Sequence, residues 1–128
     1  MLIFLLPSFY FSQKIITRSD IDTISSKHQE CLSFYDKWYS CAEEFQIKID
    51  SCLDVAFNQL NNKLDQKNKS KLSFDQKNWI KIRDKKYNDI DRKNTVGGRD
   101  GRIISMDQKA EVVKERVLEL IKQLEKLD

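Results

Sequence analysis

Apolar residues recur at intervals of three and four along four stretches of this chain, a spacing that puts them on one face of an α-helix. The stretches run from about residue 19 to 39, 40 to 66, 73 to 94 and 105 to 127. No stretch shows a sustained alternation of apolar and polar residues, and the chain has only three Gly and one Pro. The pattern therefore predicts an all-α fold, a small bundle of about four helices.

Each of the last three helices is predicted to begin at a capping box, in which a Ser hydroxyl and a Glu or Gln side chain satisfy free backbone N–H groups. The candidates are Ser40-x-x-Glu43, Ser73-x-x-Gln76 and Ser105-x-x-Gln108. The lysine-rich segment 67–71 is then a basic linker between two helices. The glycine cluster at 97–101 is predicted to be the turn that follows the third helix.

Residues 1–13 carry no charge and contain an apolar run over residues 2–11. The length of this run is typical of a signal-peptide core and is too short for a membrane-spanning helix. We therefore expect 1–13 to be a signal peptide or an uncleaved apolar leader, and 14–128 to form a single helical domain. Export predicts a periplasmic or secreted protein, which would contact a membrane only through an uncleaved leader.

The chain has three cysteines, Cys31, Cys41 and Cys52, which fit an oxidising compartment with one disulfide and one spare thiol. Cys41 and Cys52 would lie about 16 Å apart on one helix, which excludes a bond between them. The predicted disulfide is Cys31–Cys52 across a hairpin, with Cys31–Cys41 as the alternative. Three buried thiols in a reduced protein are a further interpretation. With His28 as the only histidine and no C-x2-C pair, no zinc site is predicted.

The charge is distributed unevenly along the chain. Residues 14–62 have five basic and eight acidic residues, whereas residues 63–102 have thirteen basic and six acidic residues. Acidic residues interleave with the basic ones in the middle segment, and no nucleic-acid-binding module is recognisable, so we expect no nucleic-acid partner. No nucleophile, carboxylate pair or phosphate loop stands out either. The sequence therefore predicts neither an enzyme nor a site for a cofactor or a small-molecule substrate.

The most distinctive segment is Leu72-x-x-x-Gln76-x-x-Trp79-Ile80-x-x-Arg83-Asp84. Trp79 and Arg83 are four residues apart, so on a helix the guanidinium can stack on the indole or reach a nearby carboxylate. Aromatic residues at helical spacing usually fill a core, so Trp79 is expected to be a core residue, with a contact residue as the alternative. Arg83 and Asp84 are expected to form a structural ion pair or a cap.

This segment resembles the central motif of the LprI-type lysozyme inhibitor family, a group of small exported helical domains. Similar elements lie on both sides of it, and order and spacing agree over roughly residues 41–124. The matching residues are Leu60, Asn61, Gln76, Trp79, Arg83, Asp84, Gly97, Gly98 and Arg116, which we expect to be mainly structural. A cysteine pair that commonly links the region after Arg-Asp to the last helix has no counterpart near Tyr87 or at 107–109.

The resemblance implies an exported protein that binds and inhibits lysozyme non-covalently and needs no cofactor. Many lysozymes are basic, so complementary acidic residues are the expected contact surface. The candidates are Asp36, Glu43, Glu44, Asp50 and Asp54 in the first hairpin. An exposed loop around Arg99 and Asp100 is a further candidate, because such loops can enter a cleft. The alternative hypothesis is a structural or envelope-stress helical domain with an unknown partner and no inhibitory activity.

Overall fold

A computed structural model describes residues 14–127 of the chain. It contains four α-helices: α1 (Arg18–Cys31), α2 (Trp38–Lys63), α3 (Gln66–Lys93) and α4 (Gly98–Lys126). Short 3-10 turns, Tyr35–Lys37 and Thr95–Gly97, precede α2 and α4. No strand occurs within this part of the chain, so the predicted all-α bundle of about four helices is confirmed. The predicted leader, residues 1–13, lies outside the described residues.

The helices run alternately up and down, because each connection is short. Polar contacts join the elements that meet at one end of the bundle. The Ile16 N–H donates to the Gln59 side chain, which donates in turn to the Lys14 carbonyl. Arg18 at the start of α1 pairs with Glu125 near the end of α4, at 3.1 Å. We call this the leader end; the opposite end, which carries the α3–α4 turn, is the glycine end.

The core lies mainly between α2 and α4. Its buried apolar residues on these helices are Phe45, Ile49, Leu53, Ala56, Leu60, Ala110, Val113, Val117, Leu120, Ile121 and Leu124. Helix α1 adds Ile21. Along the whole described length of α3, Leu72 is the one fully buried residue, although Trp79 and Tyr87 pack against the core while remaining half-buried. Helix α3 therefore lies at the edge of the bundle, and its attachment depends on a few specific side chains.

The predicted capping boxes of α2 and α4 are wrong. Helix α2 begins at Trp38, and the Ser40 hydroxyl donates to the Lys37 carbonyl instead of accepting from the backbone. Helix α4 begins at Gly98, so Ser105 is a buried residue two turns inside it. A serine within a helix can bond to a preceding carbonyl, so its presence before a Glu or Gln does not identify a helix start.

The predicted start of α3 at Ser73 is also wrong. The helix begins seven residues earlier, where the Asp65 side chain caps it by accepting from the Asn68 N–H at 2.9 Å. The expected basic linker at 67–71 is therefore the first part of α3. A capping box does occur in the structure, but at the start of α1, where Thr17 and Asp20 satisfy each other's backbone N–H groups.

The predicted disulfide Cys31–Cys52 is wrong, because the structure pairs Cys31 with Cys41 across a Cα–Cα distance of 5.7 Å. The first predicted helix was too long: α1 ends at Cys31, so the turn that reverses the chain lies at residues 32–37. Cys41, in the first turn of α2, is then opposite the end of α1. Cys52 is a half-buried free thiol, and burial raises its pKa.

Candidate functional site

Trp79 lies between two guanidinium groups at the α3–α4 contact. Arg83, one turn further along α3, is 5.6 Å from the centre of the indole. Arg116 of α4 approaches the same ring at 5.8 Å. Both distances are within the range of a cation–π interaction. The two arginines and the indole thereby join an edge helix to the core helix beside it.

Arg116 is the most constrained charged residue of this contact, with a side chain only 4% exposed. Its Nε donates to Gln76 Oε1 at 2.9 Å, and its Nη2 donates to Asp75 Oδ2 at 2.8 Å. The planar guanidinium thus makes a fork of two bonds to consecutive residues of α3. The sequence analysis missed Asp75, although a basic residue within an apolar helical stripe signals that a carboxylate must lie nearby.

Arg83 occupies the outer side of the same contact. Its guanidinium donates to Asp84 Oδ1 at 3.0 Å and lies 5.5 Å from the ring centre of Tyr87. We define the α3–α4 clamp as Asp75, Gln76, Trp79, Arg83, Asp84 and Arg116. Hydrogen bonds join Arg116 to Asp75 and Gln76, and Arg83 to Asp84, and both guanidiniums face the indole. The arrangement is that of a helix–helix joint, and it contains no nucleophile beside a base.

The other matching motif residues lie away from the clamp. Leu60 is buried near the leader end, and the next residue, Asn61, accepts the Leu64 N–H with its backbone carbonyl. Gly97 and Gly98 form the turn at the glycine end, where Gly98 has a positive φ of 59°, a conformation that favours glycine. The motif thus marks one clamp and two turns, rather than one binding site.

A second set of contacts joins α3 to α4 near the glycine end. Lys109 places its ammonium 5.2 Å from the ring centre of Tyr87 and pairs with Asp91 at 2.9 Å. Asn94 donates to the Gln108 side chain at 3.0 Å. Burial raises the pKa of Tyr87. Polar side chains thus join the two helices in this region.

Only some of the predicted acidic contact residues lie on one surface of the structure. Glu43, Asp50 and Asp54 are spaced seven and four residues apart along α2, so they share one exposed stripe. Ile47, 63% exposed, lies between them. We call these four residues the acidic face. Glu44 lies off this stripe and pairs with Lys48 at 2.9 Å; this contact lowers its pKa and offsets its charge.

The acidic face borders the clamp. Partial burial raises the pKa of Asp50, while the nearby charge of Arg83 lowers it and the charge of Asp54 raises it. The charge of Asp50 also helps to raise the pKa of Tyr87. Asp50 of α2 therefore lies close enough to Arg83 and Tyr87 of α3 for its charge to interact with these two side chains.

Two further predicted contact residues lie at the glycine end. Asp36, in the 3-10 turn before α2, lines a groove with Tyr39, Arg99 and Arg102. The Arg99 guanidinium is 6.0 Å from the ring centre of Tyr39. The expected exposed loop around Arg99 and Asp100 is wrong, since both residues belong to the first turn of α4. Both residues remain exposed.

His28 is a buried residue of α1. Its ring stacks on Phe45 at 4.1 Å, and its Nε2 lies 3.2 Å from an Asp107 carboxylate oxygen. Burial raises the pKa of Asp107, and the adjacent His28 opposes that change. Within residues 14–127, no cluster of three or more His, Cys, Asp or Glu is arranged to hold a metal ion.

Comparison with known proteins identifies the family. The family model described as lysozyme inhibitor LprI matches residues 36–120, more than half of the chain. Curated proteins and solved structures gave no match. The matched region contains α2, α3, most of α4 and the whole clamp. Among residues 14–127, no helix has the length and apolar character needed to cross a membrane. The family match and the clamp together show that this chain belongs to the lysozyme inhibitor LprI family.

Proposed function

We propose that this protein is exported and inhibits lysozyme by binding it non-covalently through the acidic face of α2. Membership of the LprI family is the observation that carries the proposal. The described part of the chain offers a surface for binding and no arrangement for covalent catalysis. The family match points to a protein partner rather than to a small molecule.

The acidic face supports this choice of surface on electrostatic grounds. Glu43, Asp50 and Asp54 are exposed and share one stripe of α2. An acidic stripe raises the association rate with a basic enzyme by steering the encounter. Ile47, exposed in the middle of the stripe, supplies apolar area that such a contact would bury. Without a partner, this isoleucine has no neighbour that removes it from water.

The clamp is a poorer candidate for the contact surface. Arg116 is buried, and its polar atoms are already bonded to α3. Trp79 is half-buried between two guanidiniums. Removing either side chain should therefore weaken the fold before it weakens binding. The clamp joins α3 to α4 and so fixes where Arg83 lies relative to the acidic face.

The experiment is a binding and inhibition panel against lysozymes of the c, g and i types, using the oxidised protein. We expect tight binding to at least one type and loss of its lytic activity. The W79A variant tests whether the clamp is the contact surface, since a scaffold residue should lower stability without a selective binding defect. A stable W79A protein that no longer binds would move the contact surface to the clamp. A folded wild-type protein that ignores every lysozyme would contradict inhibition.

A further inference from the structure

The outer side of α3 carries a column of lysines that neither the clamp nor the proposed lysozyme contact uses. Lys77, Lys81 and Lys85 follow one another at intervals of four residues, so they lie one above another on the helix surface, and all three are exposed. Phe74, three residues before Lys77, is 69% exposed on the same side. We call these four residues the basic face. Like charges at this spacing destabilise a helix, so an anionic partner that covers the column would relieve a repulsion within α3.

Ion pairs within the molecule do not neutralise this column. None of its three lysines has an ion-pair partner among residues 14–127. The acidic residues of α3 are engaged with other side chains: Asp75 pairs with Arg116, Asp84 with Arg83, Asp89 with Arg92, and Asp91 with Lys109. The basic face therefore presents an uncompensated positive charge to the solvent, beside one exposed aromatic ring.

The acidic face of α2 complements the basic face in charge and in spacing. Asp50 and Asp54 form no ion pair with any described residue. They follow the exposed Ile47 after three and seven residues, and the first two lysines of the basic face follow its phenylalanine after the same two intervals. On helices that lie side by side and parallel, both sets of charges then stand about 4.5 and 10.5 Å from the apolar residue. The opposed pairs in this register are Ile47 with Phe74, Asp50 with Lys77, and Asp54 with Lys81.

We propose that the basic face of one molecule docks on the acidic face of a second copy of this chain. The opposite charges steer the encounter and fix the register, while the contact of Phe74 with Ile47 buries apolar area. Because the charged side chains are exposed, each pair contributes little, and the association is weak and sensitive to salt. One consequence rests on the proposed function: lysozyme and the second copy would compete for the acidic face, so self-association would lower the concentration of free inhibitor.

The test is sedimentation equilibrium of the oxidised full chain at low salt, in which the average mass is followed as the protein concentration rises. D50K/D54K reverses two charges of the acidic face, and K77E/K81E reverses the two that oppose them, so in each variant the opposed pairs carry like charges. We expect each variant to lower the association constant on the order of 10-fold or more. The combined variant restores opposite charges and the net charge of the wild type, so it should associate to within a few-fold of the wild type.

The matched control K27E/K122E reverses two exposed lysines on α1 and α4 and should change the association constant only slightly. Association of the wild type should fall as salt shortens the Debye length from about 30 Å at 0.01 M to about 3 Å at 1 M. Residues 1–13 are uncharged and identical in every variant, so they do not account for a difference between variants. If circular dichroism shows that D50K/D54K is unfolded, D54K, K81E and D54K/K81E apply the same design to one pair.

Four results would overturn the proposal. A wild-type protein that stays monomeric at low salt would exclude the second copy as a partner. A folded combined variant that stays monomeric would show that the two faces do not oppose each other. Equal losses in K77E/K81E and K27E/K122E would mean that net charge, rather than the basic face, governs association. Retained self-association by K77E/K81E, with lost binding to polyphosphate, would identify a polyanion as the partner of the basic face. Sedimentation is measured without lysozyme, so a failure of inhibition does not decide this test.

Discussion

Replacing Arg116 by methionine tests whether the clamp stabilises the fold. The side chain is 4% exposed, and its guanidinium bonds to Asp75 and Gln76 at 2.8 and 2.9 Å while lying 5.8 Å from the indole of Trp79. Methionine preserves most of the apolar stem, so the change removes mainly these polar contacts. It leaves Gln76 and Asp75 without their partner but introduces no buried charge.

The magnitude follows from the environment of each contact. A hydrogen bond to a charged group stabilises by about 1.5–3 kcal/mol when both partners are buried. Asp75 is 59% exposed and regains water, so its contribution falls toward that of a surface ion pair, at most about 1 kcal/mol. The bond to Gln76 and the cation–π contact add about 1–2 kcal/mol together. We therefore expect R116M to lower the free energy of unfolding by about 2–3 kcal/mol.

The assay is urea unfolding of the oxidised protein followed by far-UV circular dichroism. The midpoint should fall while the m-value stays unchanged. The matched control is R92M, because Arg92 is 77% exposed and pairs with Asp89 within the same helix, so its loss should cost less than about 0.5 kcal/mol. If R116M and R92M unfold at the same midpoint, the clamp does not stabilise the fold.

Three further predictions concern stability. The pKa of Asp50 is raised in the folded protein, so folding disfavours its charged form. Protonated Asp50 is therefore compatible with a more stable fold at acidic pH, and this stability is lost as the pH rises through the folded-state pKa. D50N should therefore stabilise the protein by about a few tenths of a kcal/mol at neutral pH and not in acid, as thermal melts at both pH values will show. C31S should lower the free energy of unfolding by about 2–3 kcal/mol in urea, because it opens a loop with a sequence separation of 10. G101A should lower it by about 1–3 kcal/mol, because a Cβ there would overlap the Asn94 carbonyl oxygen.

Each of these predictions has a matched comparison. C52S removes the free thiol and should leave the unfolding midpoint of the oxidised protein nearly unchanged. G97A adds a Cβ that would meet no atom within 4 Å, so it should be tolerated where G101A is not. A D50N protein with the same advantage in acid as at neutral pH would show that the effect does not come from the carboxylate charge.

The sequence was sufficient to predict the four helices, because each carries apolar residues at helical spacing. It did not predict the residues at which these helices begin and end. Phe34, Tyr35 and Trp38 continue the apolar periodicity of α1 but are 58%, 71% and 37% exposed in the turn before α2. Periodicity indicates which residues can share one face of a helix, but it does not indicate which of them are buried in the core. The misplaced turn then led to the wrong partner for Cys31.

The clamp was only half predictable for a related reason. The spacing of Trp79 and Arg83 is local, so the sequence indicated that they share a helix face. Arg116 is separated from Asp75 by 41 residues, and their ion pair depends on how α3 lies against α4. The border between Asp50 and Arg83 likewise joins two helices. Contacts of this kind follow from packing, which one sequence does not specify.

The most direct test of the account compares inhibition of lysozyme by two charge-matched variants. E43Q/D50N/D54N neutralises the acidic face, whereas D22N/E30Q/E115Q neutralises three exposed acids on α1 and α4.

We predict that the first variant raises the inhibition constant by about tenfold or more, mainly through a slower association rate at low salt, while the second changes it only slightly. Equal inhibition by both variants and the wild type would contradict the claim that this family member binds lysozyme through the acidic face of α2.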